Sequence, residues 1–102
     1  LYSREEVTAE RGENLALGTV VGRDSETKFI RKLDLAAKTG AQIAIGAVIM
    51  PQDVKNNKAV IAARTAILAD HAIIWPANIT EEQKQTAIEQ LEGRGIIIRK
   101  GV

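Results

Sequence analysis

A chain of 102 residues is one domain, and it buries only about 60–65% of its unfolded surface, so a partner surface would add to its stability. Fourteen basic and 13 acidic residues leave a net charge of +1, without the basic excess or stripe of a general nucleic-acid binder. Cysteine is absent, which excludes a disulfide or thiolate–metal framework, and no apolar run approaches the roughly 20 residues of a membrane-spanning helix. No signal-peptide pattern opens the chain. The expectation is a soluble protein, made in the cytoplasm, without nucleic acid or membrane as partner.

Charge is unevenly spread. Residues 1–14 hold Arg4 and Arg11 against Glu5, Glu6, Glu10 and Glu13, a local charge of −2, and the remainder carries +3. Val7 is the main apolar residue there after the first two positions. Such a segment buries too little to offset its ordering, about 1–2 kcal/mol per residue for the backbone. Residues 1–14 are therefore expected to form a mobile N-terminal arm, and residues 15–102 a single β-rich domain. Within the arm, residues 2–8 are suited to become an extended strand where another chain offers an open sheet edge.

Residues 17–22 read as a strand, with Gly18 and Gly22 marking bends or close backbone approaches. Residues 23–27 are a turn, 28–33 a second strand and 34–40 a loop. Residues 42–50 form a third strand halted by Pro51. In the turn-rich connection that follows, Asn56 and Asn57 suit positive φ. Residues 59–68 make one long strand or two short ones, and Ala69 and Asp70 a turn. Residues 71–75 are an apolar, strand-like run that Pro76 stops, because proline cannot donate to a ladder.

Thr80 followed three residues later by Gln83 is a capping box opening a helix. Glu81 and Glu82 place negative charge on the helix's positive end. Ala87, Ile88 and Leu91 give it a narrow apolar face, and Gly93 or Gly95 can end it in the left-handed conformation. Ile96, Ile97 and Ile98 resume a strand. The chain has neither an internal repeat nor a low-complexity tract.

Two of these strands are apolar on both faces. In residues 41–50, one face shows Ala41, Ile43, Ile45, Ala47 and Ile49, the other Gln42, Ala44, Gly46, Val48 and Met50. In residues 59–68 only Arg64 and Thr65 are polar. A half-exposed antiparallel strand alternates polar with apolar, so both faces here need cover that one short helix cannot fully supply. A subunit interface through Ile43 and Ile45 is the economical answer; the alternative is that the alanines make a thin, tightly packed core. Trp75 has the same two readings, a core anchor at the junction of strand and helix or an interface hot spot.

Catalytic patterns are scarce. His71 follows Asp70, but adjacent strand residues point to opposite faces, and no serine or threonine is marked out as a nucleophile. One histidine without cysteine is a poor start for a metal site. Glu81, Glu82, Glu89 and Glu92 solvate a helix face, and Asp24 and Glu26 belong to turn chemistry. Gly18 and Gly22 lack the lysine and following helix of a phosphate loop. Lys28, Arg31 and Lys32 around Phe29 resemble a minimal stacking site for single strands, though a charged edge guarded against aggregation explains them better. No catalytic, cofactor-binding or metal-ligating residue is assigned.

Taken together, residues 3–22 (SREEVTAERGENLALGTVVG), 44–54 (AIGAVIMPQDV) and 71–99 resemble the phage head decoration protein family, the small trimeric capsid-stabilising proteins of the lambdoid type. The resemblance covers nearly the whole chain, with its parts in the family's order. It implies a mainly β fold with one short C-terminal helix: a β-clip-like compact domain with an extended N-terminal arm. It further implies a homotrimer on the outer surface of the expanded head, at three-fold positions, with the major capsid protein as partner, after assembly in the host cytoplasm. In the family an apolar-Trp-Pro segment introduces the helix, as Trp75 and Pro76 do here. Residues 3–8 match part of the family's arm, so Tyr2, Ser3, Arg4, Glu5, Glu6, Val7 and Thr8 are the expected capsid-binding residues. Because that arm is usually longer and this chain begins at Leu1, a further upstream segment is expected. The alternatives are a trimeric β-scaffold enzyme or small-ligand binder with sites between subunits, and an interaction domain of a cellular assembly.

Overall fold

A computed structural model describes residues 3–10, 12–35, 38, 40–53, 55–77 and 79–99. Seven strands and one helix follow in the order β1 (Ser3–Thr8), β2 (Val20–Arg23), β3 (Ile30–Lys32), β4 (Gly46–Val48), β5 (Lys58–Arg64), β6 (Ala66–Ala69), α1 (Glu81–Glu92) and β7 (Ile96–Arg99). The first five make one sheet in the order β1-β5-β4-β2-β3, antiparallel throughout. Its two ends meet: Ala9, the residue after β1, bridges Ile30 of β3, and the Glu10 N–H donates to the Ile30 carbonyl at 2.8 Å. The sheet is thus curled back on itself. The expected mainly β architecture with one C-terminal helix is what forms.

Curling decides the cores. Val7, Leu15, Val21, Ile30, Ile45, Val48, Ile61 and Ala63 are buried in one cluster. Val20, Leu33, Ala44, Ala62, Ala87, Leu91 and Ile96 form a second, where α1 and β7 cover the sheet. Neighbouring residues of one strand serve different cores, Val20 and Val21 on β2, Ile61 and Ala62 on β5, as the period of two requires. This corrects the argument from strands apolar on both faces. Both faces find cover within one chain, because the sheet wraps its own inner face and alanines let α1 approach the outer one.

The segment around β1 and residues 71–75 also differ from expectation, whereas residues 59–68 take the second of their two expected forms. Residues 1–14 are expected to lie outside the domain, but Ser3–Thr8 pairs along its length with β5, from Ser3 with Arg64 to Thr8 with Lys58. Val7, the apolar residue within it, is 6% exposed; its burial, together with the ladder to β5, brings the segment into the sheet. Residues 59–68 resolve into two strands broken at Thr65, which takes a φ of 51°. The expected strand at 71–75 is instead a 3-10 turn, Asp70–Ala72, followed by one bridge from Ile74 to Thr19. Here the Ile73 N–H turns back to the Asp70 carbonyl, and Pro76 prevents the pairing from continuing.

Helix α1 opens as its sequence dictates. The Thr80 hydroxyl accepts from the Gln83 N–H at 3.1 Å, and the Gln83 side chain accepts from the Thr80 N–H at 3.0 Å. At the far end Gly93 stays right-handed, and Gly95, at φ 81°, makes the left-handed step. Thr80→Ala should cost about 1 kcal/mol, read as a fall in Tm of about 4–8 °C. An unchanged Tm would show that the reciprocal cap contributes nothing. β7 then runs parallel to β6, which the intervening helix makes possible.

Candidate docking surfaces

Three surfaces stand out, and the first is the outer edge of β1. One edge pairs with β5; the other meets no strand among the described residues. It faces a slot of about 420 Å³ between β1 and the β2–β3 hairpin, lined by Glu5, Glu6, Val7 and Thr8 on one wall and Arg23, Lys28 and Phe29 on the other. Arg23 reaches across to Glu5 at 3.0 Å. Both side chains are about two-fifths exposed, so this bond is a weak latch, worth about 0.2–1 kcal/mol at most. An unpaired strand edge can accept an added strand, and the charges beside it limit indiscriminate pairing.

The second surface is an apolar groove beside Trp75. Ala16, Leu33, Ile74, Trp75, Pro76 and Ala77 line a hollow of about 460 Å³. A neighbouring hollow of about 490 Å³ shares Leu33, Pro76 and Ala77 and adds Leu35, Ile79 and Gln83. Trp75 is partly buried against the helix-side core, with the Lys84 ammonium 5.6 Å from its ring centroid. Lys84 also lies 3.9 Å from Asp70. The indole N–H is buried and finds no acceptor among the described residues.

The third is the outer face of the β6–β7 ribbon. Ala66, Leu68, Ile96 and Ile98 turn toward α1. Ile67 and Ile97, paired in register, turn away and are 61% and 42% exposed.

The expected site residues are distributed unevenly over these surfaces. Glu5 to Thr8 lie together at the slot, Arg4 is exposed on the same strand, and Tyr2 lies outside the described residues. Ile43 and Ile45, expected to share a strand face, part company because residues 41–43 form a turn and bend, with β4 starting at Gly46. Ile43 is 45% exposed, and Ile45, at 8%, packs inside the curled sheet with little surface left to offer. The basic cluster also divides: Lys28 and Phe29 face the slot, Lys32 lies beside the Trp75 groove, and Arg31 pairs with Glu10 and Asp34. His71 is exposed on the 3-10 turn. Sequence reasoning missed the Ile67–Ile97 pair, whose exposure follows from a parallel register that no local pattern announces.

An open strand edge, an apolar groove and an apolar ridge are kinds of surface by which proteins bind other proteins. The family model of the bacteriophage lambda head decoration protein D matches residues 1–96, and the chain belongs to that family, whose members are structural proteins of the phage head. A comparison with curated proteins found no match.

Proposed function

We propose that this chain binds the outer surface of the expanded phage head as a homotrimer at three-fold positions, and braces neighbouring major capsid subunits against the pressure of the packaged DNA. It is a building part rather than an enzyme, assembled in the host cytoplasm and carried on the virion. Family membership supports the head as its place.

The observation that carries the mechanism is the outer edge of β1, facing a slot with Glu5 on one wall and Lys28 and Phe29 on the other. A strand of the capsid subunit added there extends the curled sheet, its main chain supplying affinity and the slot walls specificity. Ser3–Thr8 is then the capsid-contact segment as a strand receiving a partner. Each edge binds weakly alone, and three edges on one trimer raise the effective concentration of the second and third contacts.

The paired substitution Glu5→Arg and Phe29→Asp changes both walls at partly exposed positions. It should weaken co-sedimentation with expanded capsids by at least about tenfold, the effect of a 1.4 kcal/mol loss, with the Tm held within a few degrees. Undiminished co-sedimentation by the folded variant would rule out the slot as the capsid contact.

A further inference from the structure

The trimer proposed above restricts which surfaces can meet. A ring of three copies closes by heterologous contacts, in which one patch meets a different patch on the next copy. The chain must then present two unlike, complementary surfaces. It has a ridge and a groove made of separate residues.

The ridge is Ile67 and Ile97, side by side on the outer face of the ribbon. A two-stranded ribbon is marginal unless its faces are covered, and α1 covers only the inner one. Arg99 lies two residues beyond Ile97, and at the ribbon's other end the Arg94 carbonyl accepts from Thr65 N–H, next to Arg64. None of these three arginines makes an ion pair with another described residue. The groove runs past Ile74, Trp75 and Pro76 to Ile79. Asp34, already held by Arg31, stands on its wall with Gln83, and Glu81 and Glu82 precede Gln83 in the first turn of α1; Lys32 is on the wall and Lys84 lies over the Trp75 ring. An arginine-flanked apolar ridge thus has its complement in an apolar groove with the Glu81 and Glu82 carboxylates near one end.

We infer that copies of this chain join head to tail, the Ile67–Ile97 ridge of one seated in the Trp75 groove of the next. This rests on the trimer reading and names its interface. Seating the ridge covers the exposed isoleucines and excludes water from the groove, burying apolar surface on both partners. It also leaves the β1 slot outside the contact.

The chain has no cysteine, so introduced thiols report without background. Ile97→Cys marks the ridge and Ala77→Cys the groove, both at exposed positions. With a short bismaleimide, the double variant should give covalent dimers and trimers on a denaturing gel, while each single variant stays monomeric. Cross-linking of the Ile97→Cys variant alone would mean that the ridge meets its own copy, and would overturn the inference. So would an uncross-linked double variant that light scattering still finds as a trimer, leaving the trimer reading intact. A wild-type chain that is monomeric both in solution and on capsids would take down the trimer reading and its interface together. Ile97→Asp gives the second measurement: the concentration at which trimer dissociates should rise at least about tenfold, with the circular dichroism spectrum unchanged.

Discussion

Gly18→Ala should destabilise the protein by about 2–5 kcal/mol, the sum of two separable costs. Gly18 sits at φ 88°, in the left-handed region, where a side chain costs about 1–2 kcal/mol. A β-carbon there would also fall inside the van der Waals radius of the Ala72 carbonyl oxygen. Neither backbone can yield cheaply. The Gly18 N–H donates to Val48 and the Gly18 carbonyl accepts from Ile74, both at 2.8 Å, so the glycine ties the segment leading to Trp75 onto the end of β4. Forcing these apart adds about 1–3 kcal/mol, the cost of overpacking.

The protein supplies its own control. Gly12 has the same φ of 88°, yet an added β-carbon meets nothing within 4 Å. Gly12→Ala should therefore cost only the conformational part, about 1–2 kcal/mol. Urea unfolding of the two variants, with unchanged m, separates the terms. Equal midpoints would show that no clash acts at Gly18 and that the 70–75 segment adapts without loss.

Local signals were the legible ones. The capping box at Thr80 and Gln83, the charge of Glu81 and Glu82 and the strand from Ile96 are each decided within a few residues and read directly from the chain, and the left-handed end is narrowed to Gly93 or Gly95, of which Gly95 takes it. What escaped depends on partners far away in sequence. Ser3–Thr8 looks too polar to join a domain, but strand pairing needs backbone more than side chains, and Val7 with the ladder to Lys58–Arg64 suffices. Apolar character on both faces of β4 and β5 correctly marks double burial. It does not say whether the cover comes from another subunit or from the sheet's own curl, which the Ala9–Ile30 bridge completes. At the proposed docking surfaces, Glu5 to Thr8 and Trp75 are among the residues the sequence singles out, whereas the Ile67–Ile97 ridge required the parallel register.

Leu91→Ala should have an effect comparable to that at Gly18. Leu91 is 0% exposed, and it and Ala87 are the buried residues of α1, so one large side chain fastens the helix over Val20, Ala62 and Ile96. Truncation removes its transfer free energy and leaves a cavity among alanines that have no bulk to fill it, a loss of about 3–5 kcal/mol from a total of about 5–15. The loss falls on one side of the molecule, because the inner cluster of the curled sheet contains no helix residue. Trp75 is the only tryptophan and packs against the helix-side core, so its fluorescence reports that core, while far-ultraviolet circular dichroism reports the whole fold. In the Leu91→Ala variant the fluorescence midpoint in urea should fall below the circular dichroism midpoint; in the parent chain the two should coincide. A cost under about 1 kcal/mol would mean that α1 is held by something other than Leu91. Coincident midpoints in the variant would mean that the two cores stand or fall as one unit, tied through β2 and β5, which carry Val20 and Ala62 on one face and Val21 and Ile61 on the other.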